Sequence, residues 1–309
     1  MSSLWPGARG RGDRQLPAAR ARALSIARVS TAANRPADPP VTLPVTPSVT
    51  PPAAAAAPRT VLVTGGSRGI GAAAARLAAA RGWDVAVNYT RDAAAAEAVA
   101  ADVRARGRRA FVVQADVGEE AQVRAMFAAL DAEVAAGRLA PLAGLVNNAG
   151  VVDWPSRVDE MSGARIERMF RINVFGSMWC AREALRRLST KHGGAGGSIV
   201  NLGSAASRIG AAGQYVDYAA SKGAIDVFTL GLAREVATEG VRVNAVRPGI
   251  IDTDIHASGG NPDRARQMAG AVPMQRAGSA EEVALAILWL LSDEASYSTG
   301  TVLDVTGGR

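Results

Sequence analysis

Tyr218 and Lys222 stand four residues apart in the stretch VDYAASKGAIDVFT, Val216 to Thr229. That separation puts both side chains on one face of a helix. A phenol titrates near pH 10 and transfers protons poorly at neutrality, but a neighbouring cation favours its ionised form. The lysine is one of two in a chain that otherwise carries its positive charge on arginine. Arginine supplies charge yet does not readily release a proton, so a lysine one turn from a phenol has chemical content. The pair reads as a general acid/base, protonating an oxygen in one direction and deprotonating a hydroxyl in the other. Tyr215, seven residues before Lys222, lies near the same face and is the rival phenol.

A second chemical signal is TGGSRGIG, Thr64 to Gly71, which follows the apolar run TVLVT and leads into an alanine-rich segment of helical composition. Gly65 permits a sharp turn, Gly69 lets the backbone approach a diphosphate, and Gly71 allows helix and strand to pack closely. The helix N-terminus then offers N–H groups and a positive dipole end to phosphates. A nucleotide belongs there. An acid after the next strand would bind a ribose 2′-hydroxyl and repel a 2′-phosphate. The residues at that point are Asn88, Tyr89, Thr90 and Arg91, with Asp92 too late, and Arg68 adds a cation inside the glycine turn. Arginine's fork of donors suits phosphate, so NADP(H) is expected, with NAD as the alternative.

These groups need a scaffold. Short apolar runs read as buried strands at 60–64, 84–88, 110–115, 142–147, 198–203, 241–246 and 301–305, and segments with helical composition lie between them. Glycines 82, 107 and 137 mark expected helix ends. Seven strands alternating with helices imply α/β architecture: a doubly wound parallel sheet covered on both faces, with ligands at the carboxyl ends of its strands. One domain over residues 58–309 accommodates all of it.

Residues 1–57 differ. They begin rich in Arg and Ala and end in a Pro/Thr/Val tract, the composition of an extended, disordered segment. Such a start also fits organelle targeting or a start codon assigned too early. Seven of its residues are Arg and two are Asp, so of the net charge of +7 the remaining 252 residues carry 7 − 5 = +2. The basicity therefore belongs to the tail and does not argue for nucleic-acid binding. Hydrophobic residues make up 48%, enough for a sizeable core, and the longest strongly apolar run, Val283 to Leu291, is too short to span a bilayer. The single cysteine, Cys180, and two histidines, His192 and His256, argue against disulfides and metal chemistry. A cytoplasmic protein is expected.

Five motifs in order carry a family resemblance: Thr64–Gly71, NNAG (Asn147 to Gly150), Ser204, the Tyr218/Lys222 pair, and RPG (Arg247 to Gly249). Over residues 59–309 the chain resembles the classical short-chain dehydrogenase/reductase family, in particular bacterial members similar to glucose 1-dehydrogenases and 3-oxoacyl-carrier-protein reductases. The resemblance implies hydride transfer between a nicotinamide cofactor and a small carbonyl or alcohol substrate. It implies that Tyr218 transfers the proton, Ser204 holds the substrate oxygen, Lys222 also binds the nicotinamide ribose, and Asn173 holds a relay water. Thr64, Gly65, Ser67, Arg68, Gly69, Ile70 and Gly71 then border the cofactor, as do Asn88, Tyr89, Asp116, Val117, Asn147, Ala149, Gly150, Pro248, Gly249, Ile251 and Thr253. The chain departs from the family at Gly203, where a first serine usually precedes Ser204. Ser207 and one extra residue before Tyr218 also depart. The segment from His256 to Gly278 reads as a substrate lid, and Asp153, Trp154, Arg208, Gln214, Tyr215 and His256 as pocket candidates. Relatives are homotetramers or homodimers built through helices near 160–190 and 213–237 and the last strand. A cofactor-sensing regulator without turnover is the rival from another functional class; such proteins typically lose the tyrosine or lysine retained here.

Overall fold

The apolar runs form seven parallel strands ordered β3-β2-β1-β4-β5-β6-β7. They are β1 (Thr60–Val63), β2 (Asp84–Tyr89), β3 (Ala110–Gln114), β4 (Leu142–Asn147), β5 (Gly197–Leu202), β6 (Val241–Pro248) and β7 (Val302–Val305). The computed structural model describes residues 57–309, apart from the His256 side chain. The extension expected before the domain lies, through residue 56, outside the described residues.

Side chains of a strand alternate between faces, and both faces here are covered. Val61 and Val63 enter a core with α1 (Gly69–Ala80), α2 (Ala93–Ala105) and residues of a late helix, Ala280–Leu291. Leu62 enters the opposite core, with α3 (Glu120–Ala135) and residues of Ser177–Leu188 and Val216–Val236. Strands buried on both sides read as continuous hydrophobic runs, which is why they stand out in the sequence. Glycines 82, 107 and 137 all take left-handed backbone angles at helix ends, with φ of 88°, 73° and 69°.

After β4 the chain forms α4 (Gly163–Phe170), a π-helical stretch Arg171–Gly176, and α5 (Ser177–Leu188). The long helix expected near 160–190 is thus re-registered around Asn173. Then follow α6 (Ala206–Ile209), α7 (Val216–Val236), α8 (Ile255–Ser258), α9 (Arg264–Met268) and α10 (Ala280–Leu291). The sheet order reverses direction between β1 and β4, so the ends of β1, β4, β5 and β6 open together at the switch point where α/β sheets bind ligands. Among the described residues, no helix is long and apolar enough to cross a membrane.

Candidate functional site

The glycine turn is fixed by its neighbours. Gly65 adopts φ of 60°, and its N–H donates to Asn88 Oδ1 at 3.1 Å. A Cβ on Gly71 would stand 2.4 Å from the Gly65 carbonyl oxygen and 2.5 Å from Asn148 Nδ2, so only glycine fits there. Helix α1 starts at Gly69 with no side chain capping it, which leaves its first N–H groups available to an anion. Thr253 lies 3.5 Å from where a Gly69 Cβ would be. This uncapped, side-chain-free cradle fits a nucleotide diphosphate.

Several residues expected at the cofactor also brace this cradle. Thr64 Oγ1 donates to the Val146 carbonyl and accepts the N–H groups of Asn148 and Ala149, both at 3.0 Å. Asn88 is buried, with Nδ2 donating to the Ala115 carbonyl at 3.0 Å, so both ends of its amide tie strand ends to the turn. Asn147 Nδ2 donates to the Ser177 carbonyl and to Asn201 Oδ1, and Asn201 Nδ2 donates to Thr229 Oγ1 at 2.9 Å. That buried chain fastens α7 to the ends of β4 and β5.

Helix α7 presents Tyr218 and Lys222 on one face. Lys222 is 5% exposed, its Nζ lies 5.7 Å from the centre of the Tyr218 ring, and it donates to the Leu202 carbonyl at 2.7 Å. Burial pushes its ammonium down to about 8, with the Asp226 carboxylate pulling the other way. Burial also raises the Tyr218 phenol, while a hydrogen bond with Ser204 lowers it. Ser204 Oγ accepts the Ala206 N–H at 3.1 Å, and the rival Ser207 is spent on the Ser204 carbonyl at 2.8 Å. Asn173 is fully buried; a Cβ on Gly150 would be 3.3 Å from its Oδ1 and 3.5 Å from Lys222 Nζ.

A cavity of about 450 Å³ brings together Ile70, Gly150, Ser204, Tyr218, Lys222, Pro248, Gly249, Ile251 and Thr253. Gly249 must be small, since a Cβ there would meet Thr306 Cα at 2.8 Å. Asp116 borders a separate hollow of about 290 Å³ with Arg91, and its Oδ1 accepts the Gly118 N–H at 2.8 Å. Ser67, Arg68, Tyr89, Val117 and Ala149 line neither hollow; Arg68 instead donates to Ser258 Oγ on α8 at 3.3 Å.

Of the pocket candidates, Gln214 and Tyr215 line the cavity. Asp153 is paired with Arg168, and Arg208 with Asp304. Trp154 lies outside the cavity lining but against the lid, because a Cβ on Gly260 would come within 2.5 Å of its ring. The His256 side chain is outside the described residues. Cys180 is buried, which drives its thiol pKa up, and is inert packing. Sequence reasoning missed Asn148, whose Nδ2 holds the Thr64 and Gly65 carbonyls at 2.8 and 3.0 Å, and Arg264 in the cavity wall. The second asparagine of NNAG was a signal for the former: one residue past the strand end, it must turn toward the glycine loop.

A family model described as enoyl-(acyl carrier protein) reductase matches residues 65–309. The chain is 54% identical over 248 residues to the uncharacterized oxidoreductase YgfF of Escherichia coli, covering 80% of this chain and 98% of that one. It is 36% identical to an NADPH-dependent aldehyde reductase-like chloroplastic protein of Arabidopsis thaliana, covering 81% and 93%. A crystal structure of a short-chain dehydrogenase from Burkholderia cenocepacia in complex with NADP superposes with a TM-score of 0.72 at 36% identity, covering 81% of this chain and 97% of that one. The chain therefore belongs to the classical short-chain dehydrogenase/reductase family and is an NAD(P)-dependent oxidoreductase.

Proposed function

We propose that the protein is an NADP(H)-dependent reductase of small carbonyl compounds, run in reverse as a secondary-alcohol dehydrogenase, with Tyr218 as general acid/base. The observation that carries this is the buried Lys222 beside Tyr218, with Ser204 lining the same cavity as the phenol. The reduced nicotinamide supplies the hydride when bound. Ser204 orients the substrate oxygen, and Tyr218 hands its proton to that oxygen as negative charge develops there. Lys222, where it holds its proton, stabilises the phenolate left behind. Asn173 positions the loop that carries Gly150 and, by family resemblance, holds a relay water.

The uncapped start of α1 would hold the diphosphate, with Gly69, Ile70 and Thr253 around it. Gly150 and residues 248–253 would border the nicotinamide end, and Asp116 and Val117 the adenine. The preference for a 2′-phosphate rests on Arg68 and Arg91, with Asp92 spent as a helix cap, its carboxylate accepting the Ala95 N–H at 2.8 Å. The NADP held by the Burkholderia relative supports the same choice.

Ile166, Phe175 and Met178 on one side, and Val227 and Leu230 on α7, are large apolar residues left exposed. They suit a homodimer or homotetramer built through these helices. Residues 58–309 form the catalytic domain, acting in the cytoplasm on a small molecule, and no nucleic-acid partner is proposed.

The test is NADPH oxidation over a carbonyl panel, wild type against Tyr218→Phe. Loss of turnover by about 10²-fold or more, with NADPH binding retained, supports the reading. Equal rates in the two proteins exclude the mechanism, and no turnover by either favours the cofactor-sensing alternative.

A further inference from the structure

The cavity that holds Tyr218 is lined by charged side chains of one sign. They belong to Lys222, Arg264 and Arg309, all basic, and among the described residues no aspartate or glutamate contributes. Lys222 is committed to the Leu202 carbonyl. Among the described residues, no carboxylate pairs with Arg264. Its Nη2 donates to the neutral Gln214 Oε1 at 2.9 Å, and its guanidinium lies 5.2 Å from the centre of the Tyr215 ring. A guanidinium lying over an aromatic ring keeps its edge donors free for a planar oxyanion.

Two acids close to the Arg264 and Tyr215 positions in sequence are already taken. Asp263, its neighbour in sequence, pairs with Arg266 at 2.8 Å. Asp217, two residues beyond Tyr215, pairs with Arg165 at 2.8 Å. Gln214 and Tyr215 anchor the guanidinium four and three residues before Tyr218, and so on the proton donor's own side of the cavity. The diphosphate cradle is built from other elements, around Gly69, Ile70 and Thr253.

We infer that the substrate is a small carbonyl compound bearing a carboxylate, and that Arg264 receives that carboxylate while Tyr218 protonates the carbonyl oxygen. The inference rests on the reductase reading above and adds the substrate's charge. A bidentate guanidinium–carboxylate contact also fixes orientation, setting the distance from acid group to reacting carbonyl.

The test compares 4-acetylbenzoate with its methyl ester, methyl 4-acetylbenzoate, as NADPH-dependent substrates of the full chain. Wild type should prefer the carboxylate in kcat/KM, and Arg264→Ala should cut that preference roughly ten- to a hundredfold. Arg264→Lys, which keeps the charge and loses the fork, should fall between. A wild-type preference for the ester, or both substrates falling in equal proportion in Arg264→Ala, would overturn the inference and leave Arg264 as an anchor of the lid. Should neither ketone be reduced, the reductase reading has failed for such carbonyls. The anion site is then judged by calorimetric titration of benzoate into the enzyme with saturating NADP+. Binding lost in Arg264→Ala supports the site, and equal affinity in both proteins overturns it.

Discussion

Asn173 grips Val151 twice: its Nδ2 donates to the Val151 carbonyl at 3.0 Å, and its Oδ1 accepts the Val151 N–H at 2.8 Å. The same Nδ2 reaches Ser221 Oγ at 3.1 Å, and Ser221 Oγ donates to the Tyr218 carbonyl at 2.7 Å. One fully buried amide thus holds the loop after β4 against the helix turn that carries the phenol. Removing it strands several buried polar groups, each costing about 1–3 kcal/mol. Asn173→Ala should therefore lower unfolding stability by about 2–4 kcal/mol and weaken NADPH binding as the loop loosens. Urea denaturation and a fluorescence titration of NADPH check the two effects. Unchanged stability would contradict the bracing role.

Lys222 makes stability depend on pH. Its folded-state pKa near 8 lies well below the value of about 10.4 in an unfolded chain. Between those values the unfolded chain binds more protons than the folded one, so stability rises with pH across that window. Below it, the buried ammonium costs about 3 kcal/mol. Lys222→Met removes the titrating group. The stability of wild type relative to this variant should improve steadily between pH 8 and pH 10. Urea denaturation of the cofactor-free proteins at pH 7, 8, 9 and 10 reads it directly, and a pH-independent difference would contradict the depressed pKa.

Arg68 should discriminate between cofactors. It is exposed, and its contact, Ser258 Oγ at 3.3 Å, is a neutral hydroxyl that a phosphate would displace. A charge-assisted hydrogen bond is worth about 1.5–3 kcal/mol. Arg68→Ala should raise KM for NADPH roughly tenfold or more while leaving KM for NADH nearly the same. Steady-state kinetics with both cofactors decide it; an equal effect on each would assign Arg68 to the shared diphosphate instead.

The sheet was legible because its chemistry is repetitive. Runs such as TVLV and LAGLVN are apolar on both faces, and their observed bounds fall within two residues of the expected ones. The Tyr218/Lys222 pair was legible for a different reason: a helix fixes the spatial meaning of a spacing of four. What stayed hidden depends on long-range closure. Asn88 and Asn147 were expected at the cofactor; that their amides also tie strand ends together was not legible, because a buried amide needs partners that only the assembled sheet supplies. The π-helical re-registration at Arg171–Gly176 has no compositional sign. Arg208 is drawn out of the pocket by Asp304, nearly a hundred residues away in sequence. Arg264 enters it by the path of a lid whose course no local pattern specifies.

Gly203 stands where relatives usually carry the first serine of a pair, and the structure gives the reason. A Cβ at this position would lie 2.9 Å from Asp226 Oδ1 and 3.2 Å from Arg247 Cγ. Asp226 is 6% exposed, its Oδ2 pairs with Arg247 Nε at 3.0 Å, and its charge raises the pKa of Lys222 against the effect of burial. The missing side chain makes room for a buried carboxylate on α7, one turn after Lys222. Gly203→Ser, although it restores the family pattern, should therefore destabilise this protein by about 1–3 kcal/mol through overpacking. Asp226→Ala alone removes the nearer of Arg247's two carboxylate partners, leaving Asp304 at 3.5 Å, and should cost about 1–3 kcal/mol. Combined, the two changes should cost less than their sum, because the serine then occupies space the carboxylate has left. Urea denaturation of all four proteins closes the cycle. Strict additivity would mean that Gly203 and Asp226 are independent and that the glycine is there for another reason.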